Sequence, residues 1–242
     1  MAGSSSGLSQ LIAAAVTPYR TAGPFAWHFA RGKLRYDPIF AAILERGLLP
    51  PQGRILDLGC GQGLLAAWLL AAQSCHTTGE WPAGWPPPPH PVSIHGIELM
   101  PREVWRAKKA LAGRAEFVQG DIAQCDFSTT DVVVIFDVLH YLGFKLQEQV
   151  LRRVRTALEP QGLLLLRIGD AAGGWRFALS YWMDLAVVAA RGHCLRRLYC
   201  RPLARWIELL ESLGFIVQTL PMNQGVPFAN VLLVGRLKPR HQ

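Results

Sequence analysis

Residues 55–63 read ILDLGCGQG. An apolar run fit for a buried strand carries an acid, Asp57, and glycines then stand at positions 59, 61 and 63. In an open α/β sheet, ligands gather outside the carboxyl ends of the strands, and Asp57 to Gly63 is such an end. Glycines let the backbone turn tightly and let a ligand lie directly on it. A helix starting near Gly63 adds unpaired N–H groups and the positive end of its dipole. Dinucleotide-binding turns use G-x-G-x-x-G with an acid about 20 residues later. Here the spacing is G-x-G-x-G with the acid in front. A carboxylate there repels a pyrophosphate and suits a cation.

Outward from this turn, apolar runs and helix-like stretches alternate. The predicted strands are RILDL (54–58), VSIHGIEL (92–99), AEFVQG (115–120), DVVVIFD (131–137) and GLLLLRIG (162–169). The predicted helices are GLLAAWLLAA (63–72), PREVWRAKKALA (101–112), KLQEQVLRRVRTAL (145–158) and PLARWIELLESLG (202–214). Near-continuous apolar strands separated by helices imply an α/β, doubly wound, mostly parallel sheet covered on both faces. FIVQTL and ANVLLVGRL follow one another without a helix, so one of them is expected to run antiparallel. The chain is read as a single domain, 1–242. Its parts are an N-terminal helical cap (1–50), a ligand-binding core (51–169), an insertion (170–200) and a C-terminal helix with strands (201–242). Residues 73–91 are proline-rich and have the composition of a surface loop.

Composition sets the outer bounds. Half of the 242 residues are apolar, 17% are charged and eight are Trp, which supports a substantial core and excludes global disorder. The N-terminus lacks a basic segment before its apolar run, so no secretory signal is expected. The stretch 177–190 is too short to span a bilayer and carries Asp184. A cytoplasmic protein is therefore expected. Five scattered cysteines without a C-x-x-C pair exclude a disulfide framework or zinc knuckle, and no metal is expected. The net charge of +8 suits an anionic partner or substrate, or solubility alone.

Further acids fall in phase with the glycine turn. Glu98 ends the second strand, where a carboxylate can accept both hydroxyls of a ribose. Asp121 follows the third strand, placed to face an adenine edge, and Asp137 ends the fourth. Acids at the same edge of four strands point to an adenosine-containing cationic ligand.

The series ILDLGCGQG, IHGIEL, FVQGDI, DVVVIFDVLHYL and LEPQGLLLLRIG resembles, in order, the motifs of class I S-adenosylmethionine-dependent methyltransferases. The resemblance implies a seven-stranded Rossmann-like sheet, S-adenosyl-L-methionine as cofactor, and an enzyme. The cofactor residues it implies are Asp57, Gly59, Cys60, Gly61, Gly63, Glu98, Leu99, Asp121, Ile122 and Asp137. Asp57 and the glycines would line the methionine end, Glu98 the ribose, and Asp121 with Ile122 the adenine.

Methyl transfer from a sulfonium requires chiefly that the acceptor atom be held behind the methyl group. DVLHYL departs from the N/D-P-P-Y/F pattern of enzymes that methylate exocyclic amines of bases. No Cys stands beside a proline as in cytosine-C5 enzymes, so DNA is not the expected substrate. By the resemblance, His140 and Tyr141 would lie over the methyl group. His140 is a candidate general base, the alternative being that it packs or caps the loop. The segment 17–40 is aromatic and basic together: Tyr19, His28 and Arg31 are candidate acceptor contacts, or part of a solvated basic face. The segment resembles more loosely the start of bacterial aryl-polyene-type pigment pathway methyltransferases. That implies a hydroxyaryl group or its acyl chain as acceptor, carried on an acidic acyl carrier protein. Residues 173–192 have helical amphipathicity, with Trp175 and Trp182 on one face. They are read as a lid over the acceptor, with interfacial membrane docking or a plain core helix as the alternatives. The expected function is O- or C-methylation of a small aromatic or lipophilic acceptor. The alternatives are an RNA methyltransferase, favoured only by charge, and a non-catalytic cofactor-binding regulator.

Overall fold

The computed structural model describes residues 2–171, 198–222 and 230–238. The strands are β1 (Arg54–Leu58), β2 (Ser93–Glu98), β3 (Glu116–Gln119), β4 (Thr130–Phe136), β5 (Leu158–Gly169), β6 (Phe215–Pro221) and β7 (Asn230–Leu237). They form one seven-stranded sheet in the order β3-β2-β1-β4-β5-β7-β6. β1 with β2, β2 with β3 and β4 with β5 pair in parallel. β7 pairs antiparallel with both β5 and β6, so it is the reversed strand that the missing crossover helix anticipates. The expected α/β architecture is present, and every predicted strand boundary lies within four residues of the observed one, β1 without any difference.

Contacts divide the chain into two compact units, 1–122 and 123–242. In the first, α1 (Ala2–Val16), α2 (Pro24–Tyr36) and α3 (Pro38–Glu45) precede the sheet, with a 3-10 helix at Thr17–Ala22. Prolines in the first turns of α2 and α3 start those helices where no N–H is needed. α4 (Leu64–Thr77) is apolar almost all round and correspondingly buried. Its fully buried Trp68 donates Nε1–H to the Phe40 carbonyl at 2.8 Å. α1 packs on α4, and the 3-10 turn packs on α5 (Pro101–Leu111). The N-terminal region is thus a helical layer against α4 and α5.

The proline-rich stretch is a surface loop from Gly79 on, but it is anchored to the core. α4 runs on to Thr77, and Pro82, Pro88 and Pro89 are buried. Gln73 Nε2 donates to Pro89 O at 3.2 Å and Trp81 Nε1 to Pro86 O at 3.1 Å. Proline rings bury as apolar surface once neighbours take up the carbonyls, and composition alone does not show those neighbours.

In the second unit, β4 and β5 are buried along Val132–Ile135 and Leu163–Leu166. Each such side chain contributes about 1.5–3 kcal/mol when removed from water. α6 (Phe144–Ala157) turns Val150, Leu151 and Val154 inward, and α7 (Leu203–Ser212) buries Trp206 and Leu210. Among the described residues, no helix is long and apolar enough to cross a membrane, and no cluster of residues could hold a metal ion.

Candidate functional site

The first unit carries the glycine turn. Gly59, Gly61 and Gly63 all have left-handed backbones, with φ of 76°, 54° and 78°. That region is strained for residues bearing a Cβ, which explains glycine at every second position. The Gly59 and Cys60 N–H groups donate to Ile97 O at 2.8 and 3.2 Å, tying the turn to β2. A Cβ on Gly63 would stand 2.8 Å from Phe117 Cζ, so this glycine also admits β3. A Cβ on Gly61 would meet no described atom within 4 Å. The turn therefore opens at its centre, where a ligand can lie on the backbone.

Glu98 does more than end its strand. Its Oε2 accepts the Gly61 N–H at 2.9 Å and its Oε1 accepts the Met100 N–H at 2.9 Å. Each oxygen keeps a second lone pair, so the carboxylate can shape the turn and still receive ligand hydroxyls. Asp57 is buried, and burial first, then the nearby Glu98, raises its carboxyl from 3.8 to about 7. Two acids beside an open backbone cradle fit a cationic, hydroxyl-bearing ligand, and S-adenosylmethionine has both features. Cys60 is buried, and burial with the Asp57 and Glu98 charges raises its thiol well above the usual range. Its sulfur packs close to Gly96, where a Cβ would sit 2.6 Å from Sγ. Leu99 is 58% exposed at the end of β2, Asp121 is half-buried and Ile122 is buried.

Three expected acceptor contacts stand differently in the structure. Tyr19 is fully buried, and its hydroxyl donates to Gln62 O at 2.8 Å. It pins the N-terminal layer to the glycine turn instead of facing an open acceptor surface. Gln62, itself buried, donates Nε2–H to Ala26 O at 2.9 Å and adds a second tie. His28 and Arg31 are exposed because α2 turns Ala26, Ala30 and Leu34 inward, so they lie on the solvated face. Trp175 and Trp182, with the proposed lid, lie outside the described residues.

In the second unit, Asp137 follows β4 with φ of 57° and is gripped by Arg167 of β5. Arg167 Nε donates to Oδ1 at 2.8 Å and Nη2 donates to Oδ2. The guanidinium is 2% exposed and the carboxylate 31%. The carboxylate of Asp137, an expected cofactor contact, neutralises a buried arginine and keeps part of its surface exposed. His140 and Tyr141 lie in a 3-10 turn at Leu139–Tyr141, with ring centroids 4.1 Å apart. Burial lowers the His140 imidazole to about 4; Asp137 opposes this and Arg167 adds to it. The Tyr199 N–H donates to His140 O at 2.8 Å. Buried Gln147 donates to Leu139 O and Leu142 O at 3.0 Å and to Tyr199 O at 2.7 Å. Its Oε1 accepts from Arg201 Nε at 2.9 Å. Sequence reading missed Arg167, Gln147 and Gln62. The signals were a lone charge inside LLLLRIG and a Gln on the apolar stripe of α6 with Val150 and Leu151.

Residues 56–164 match the family profile of a methyltransferase domain. That segment, just under half of the chain, is similar to methyltransferase domains. A carboxy-S-adenosyl-L-methionine synthase of Chromohalobacter salexigens is 28% identical over 117 residues, 46% of this chain and 38% of that protein. The chain thus spans well under half the length of that relative. Among solved structures, magnesium protoporphyrin IX methyltransferase from Synechocystis, with bound S-adenosylhomocysteine, superposes with TM-score 0.58 at 18% identity. That match covers 92% of this chain and 94% of the other. Human N-acetylserotonin methyltransferase in complex with S-adenosylmethionine gives TM-score 0.58 at 18% identity, covering 90% of this chain and 57% of that one. At such identities the likeness concerns the fold. Within the matched segment, Gly59–Gly63, Asp57 and Glu98 occupy the strand ends where open α/β sheets place ligands.

Proposed function

We propose that the protein transfers a methyl group from S-adenosylmethionine to oxygen or carbon of a small aromatic or lipophilic acceptor. The carrying observation is the Glu98 carboxylate holding the left-handed glycine turn open beside buried Asp57. When bound, S-adenosylmethionine supplies the electrophilic methyl group. Asp57 and Glu98 supply negative charge toward a cationic ligand, and the glycine backbone admits its close approach. The remaining cofactor contacts in this reading are Leu99, Asp121 and Ile122.

His140 is read as a neutral hydrogen-bond acceptor that orients the acceptor group. An imidazole at about 4 holds protons too weakly to strip a phenol by itself. Acceptors already ionised near neutrality, such as carboxylates and acidic phenols, match it best. Hydroxyaryl acids, free or as thioesters on an acidic carrier protein, are the first acceptors to screen, the carrier form being supported by the +8 charge.

The test is calorimetric titration with S-adenosylhomocysteine, with NAD as control, followed by transfer of labelled methyl to the acceptor panel. Selective micromolar binding and labelled product are expected. Failure of a folded sample to bind S-adenosylhomocysteine would refute the assignment.

A further inference from the structure

The outer face of α2 carries two adjacent stripes that the cofactor site does not use. At the helical period, Phe25, Phe29 and Tyr36 fall within an arc of about 40°, centred roughly 120° round the helix from the buried Ala26, Ala30 and Leu34. Phe25 is 58% exposed and Tyr36 70% exposed. The Phe25 and Phe29 rings stack at 6.2 Å. Beside them, on the next arc, run exposed His28, Arg31 and Arg35, and Arg20 is exposed just before the helix. Arg20 and Arg31 both lie over the Trp27 ring, at 5.6 and 5.5 Å, and Arg35 lies over Tyr36 at 5.8 Å. No acid occurs from Thr17 to Tyr36, and Asp37, which follows, is paired with Lys33 at 2.7 Å.

We infer that α2 docks this protein onto an anionic lipid surface, its aromatic stripe in the headgroup layer and its arginines on lipid phosphates. A helix lying in the interface plane needs apolar rings on one side and cations beside them, and α2 presents both. Aromatic rings are stable at the membrane–water boundary, where one edge is apolar and the other wet. Anionic headgroups attract each nearby arginine, and salt weakens the attraction. An acidic carrier protein would use the arginines and leave the large exposed rings without a role. Docking of this kind is independent of which acceptor is methylated.

The experiment is co-sedimentation of the full chain with phosphatidylcholine vesicles and with vesicles containing phosphatidylglycerol, at low and high salt. Binding is expected to the anionic vesicles alone and to weaken as salt rises. Arg31→Glu with Arg35→Glu should lower partitioning by at least on the order of thirtyfold. Phe25→Ser with Tyr36→Ser should lower it on the order of tenfold. Thermal unfolding checks each variant, and Tyr36→Ser alone, at the most exposed ring, serves where a double variant unfolds early. Absence of sedimentation at low salt overturns the inference. Sedimentation unchanged by the substitutions places the contact elsewhere and overturns it too, as does capture of an acidic carrier protein without vesicle binding.

Discussion

The carboxylate of Glu98 at the end of β2 accepts the N–H of Gly61 at 2.9 Å, joining two residues 37 apart in the chain. One side chain therefore sets the shape of the turn on which the cofactor is proposed to lie. Glu98→Gln keeps one acceptor oxygen but sets an NH2 group against a backbone N–H. Affinity for S-adenosylhomocysteine should fall about 10- to 100-fold, with about 1–3 kcal/mol lost from stability. Calorimetry and urea unfolding check both.

Asp57 ties affinity to pH. Its carboxyl is raised from 3.8 to about 7 in the fold, so the folded state binds the proton more tightly than the unfolded chain. Stability contributed by the protonated form is present below about pH 4 and is lost as pH climbs through about 7, a cost of a few kcal/mol. A cationic ligand favours the ionised form. Binding should therefore release a proton between pH 5 and 7 and tighten as pH rises, which titration in buffers of different ionisation enthalpy will count. Asp57→Asn should flatten the stability profile and weaken binding.

The Arg167–Asp137 pair is expected to be structural. Asn tolerates a left-handed backbone, so Asp137→Asn removes charge while keeping φ near 57°. It leaves a guanidinium that is 2% exposed facing a neutral amide. Loss of a partner from a buried pair costs about 3–5 kcal/mol, and the partly exposed carboxylate brings the expectation to the low end. Replacing Arg167 by Met in the same chain should restore part of the loss in a denaturation cycle.

Tyr19→Phe removes one hydroxyl from the fully buried contact with Gln62 O. About 1–2 kcal/mol of stability should go, seen as a lower unfolding midpoint. If the midpoint is unchanged, the N-terminal layer is not pinned through this bond.

His140 should contribute no inflection to kcat/KM between pH 5.5 and 9, because its imidazole is already neutral there. With its folded value lowered to about 4, the unfolded chain takes up the proton first as pH falls. Stability should therefore decline from about 6.5 down to 4, and His140→Gln should remove that decline. A rate profile turning near 6.5 that His140→Gln abolishes would show the residue acting as an ordinary base.

Strand positions could be read from the chain because each depends on residues within a few positions. Apolar runs such as DVVVIF mark buried parallel strands, and glycines at 59, 61 and 63 mark the left-handed turn that other residues resist. Partnerships across the chain could not be read this way. Tyr19 meets Gln62 across 43 positions and Arg167 meets Asp137 across 30, and no local pattern specifies either pair. Aromatic and basic composition placed Tyr19, His28 and Arg31 together, whereas packing buried the first and turned the other two outward. The proton affinities of Asp57 and His140 likewise follow from burial and from charges brought near by the fold. Residue type and local spacing thus determined where a ligand could sit, and only tertiary structure decided which side chains are free to meet it, because desolvation and long-range pairing exist only once the chain has closed on itself.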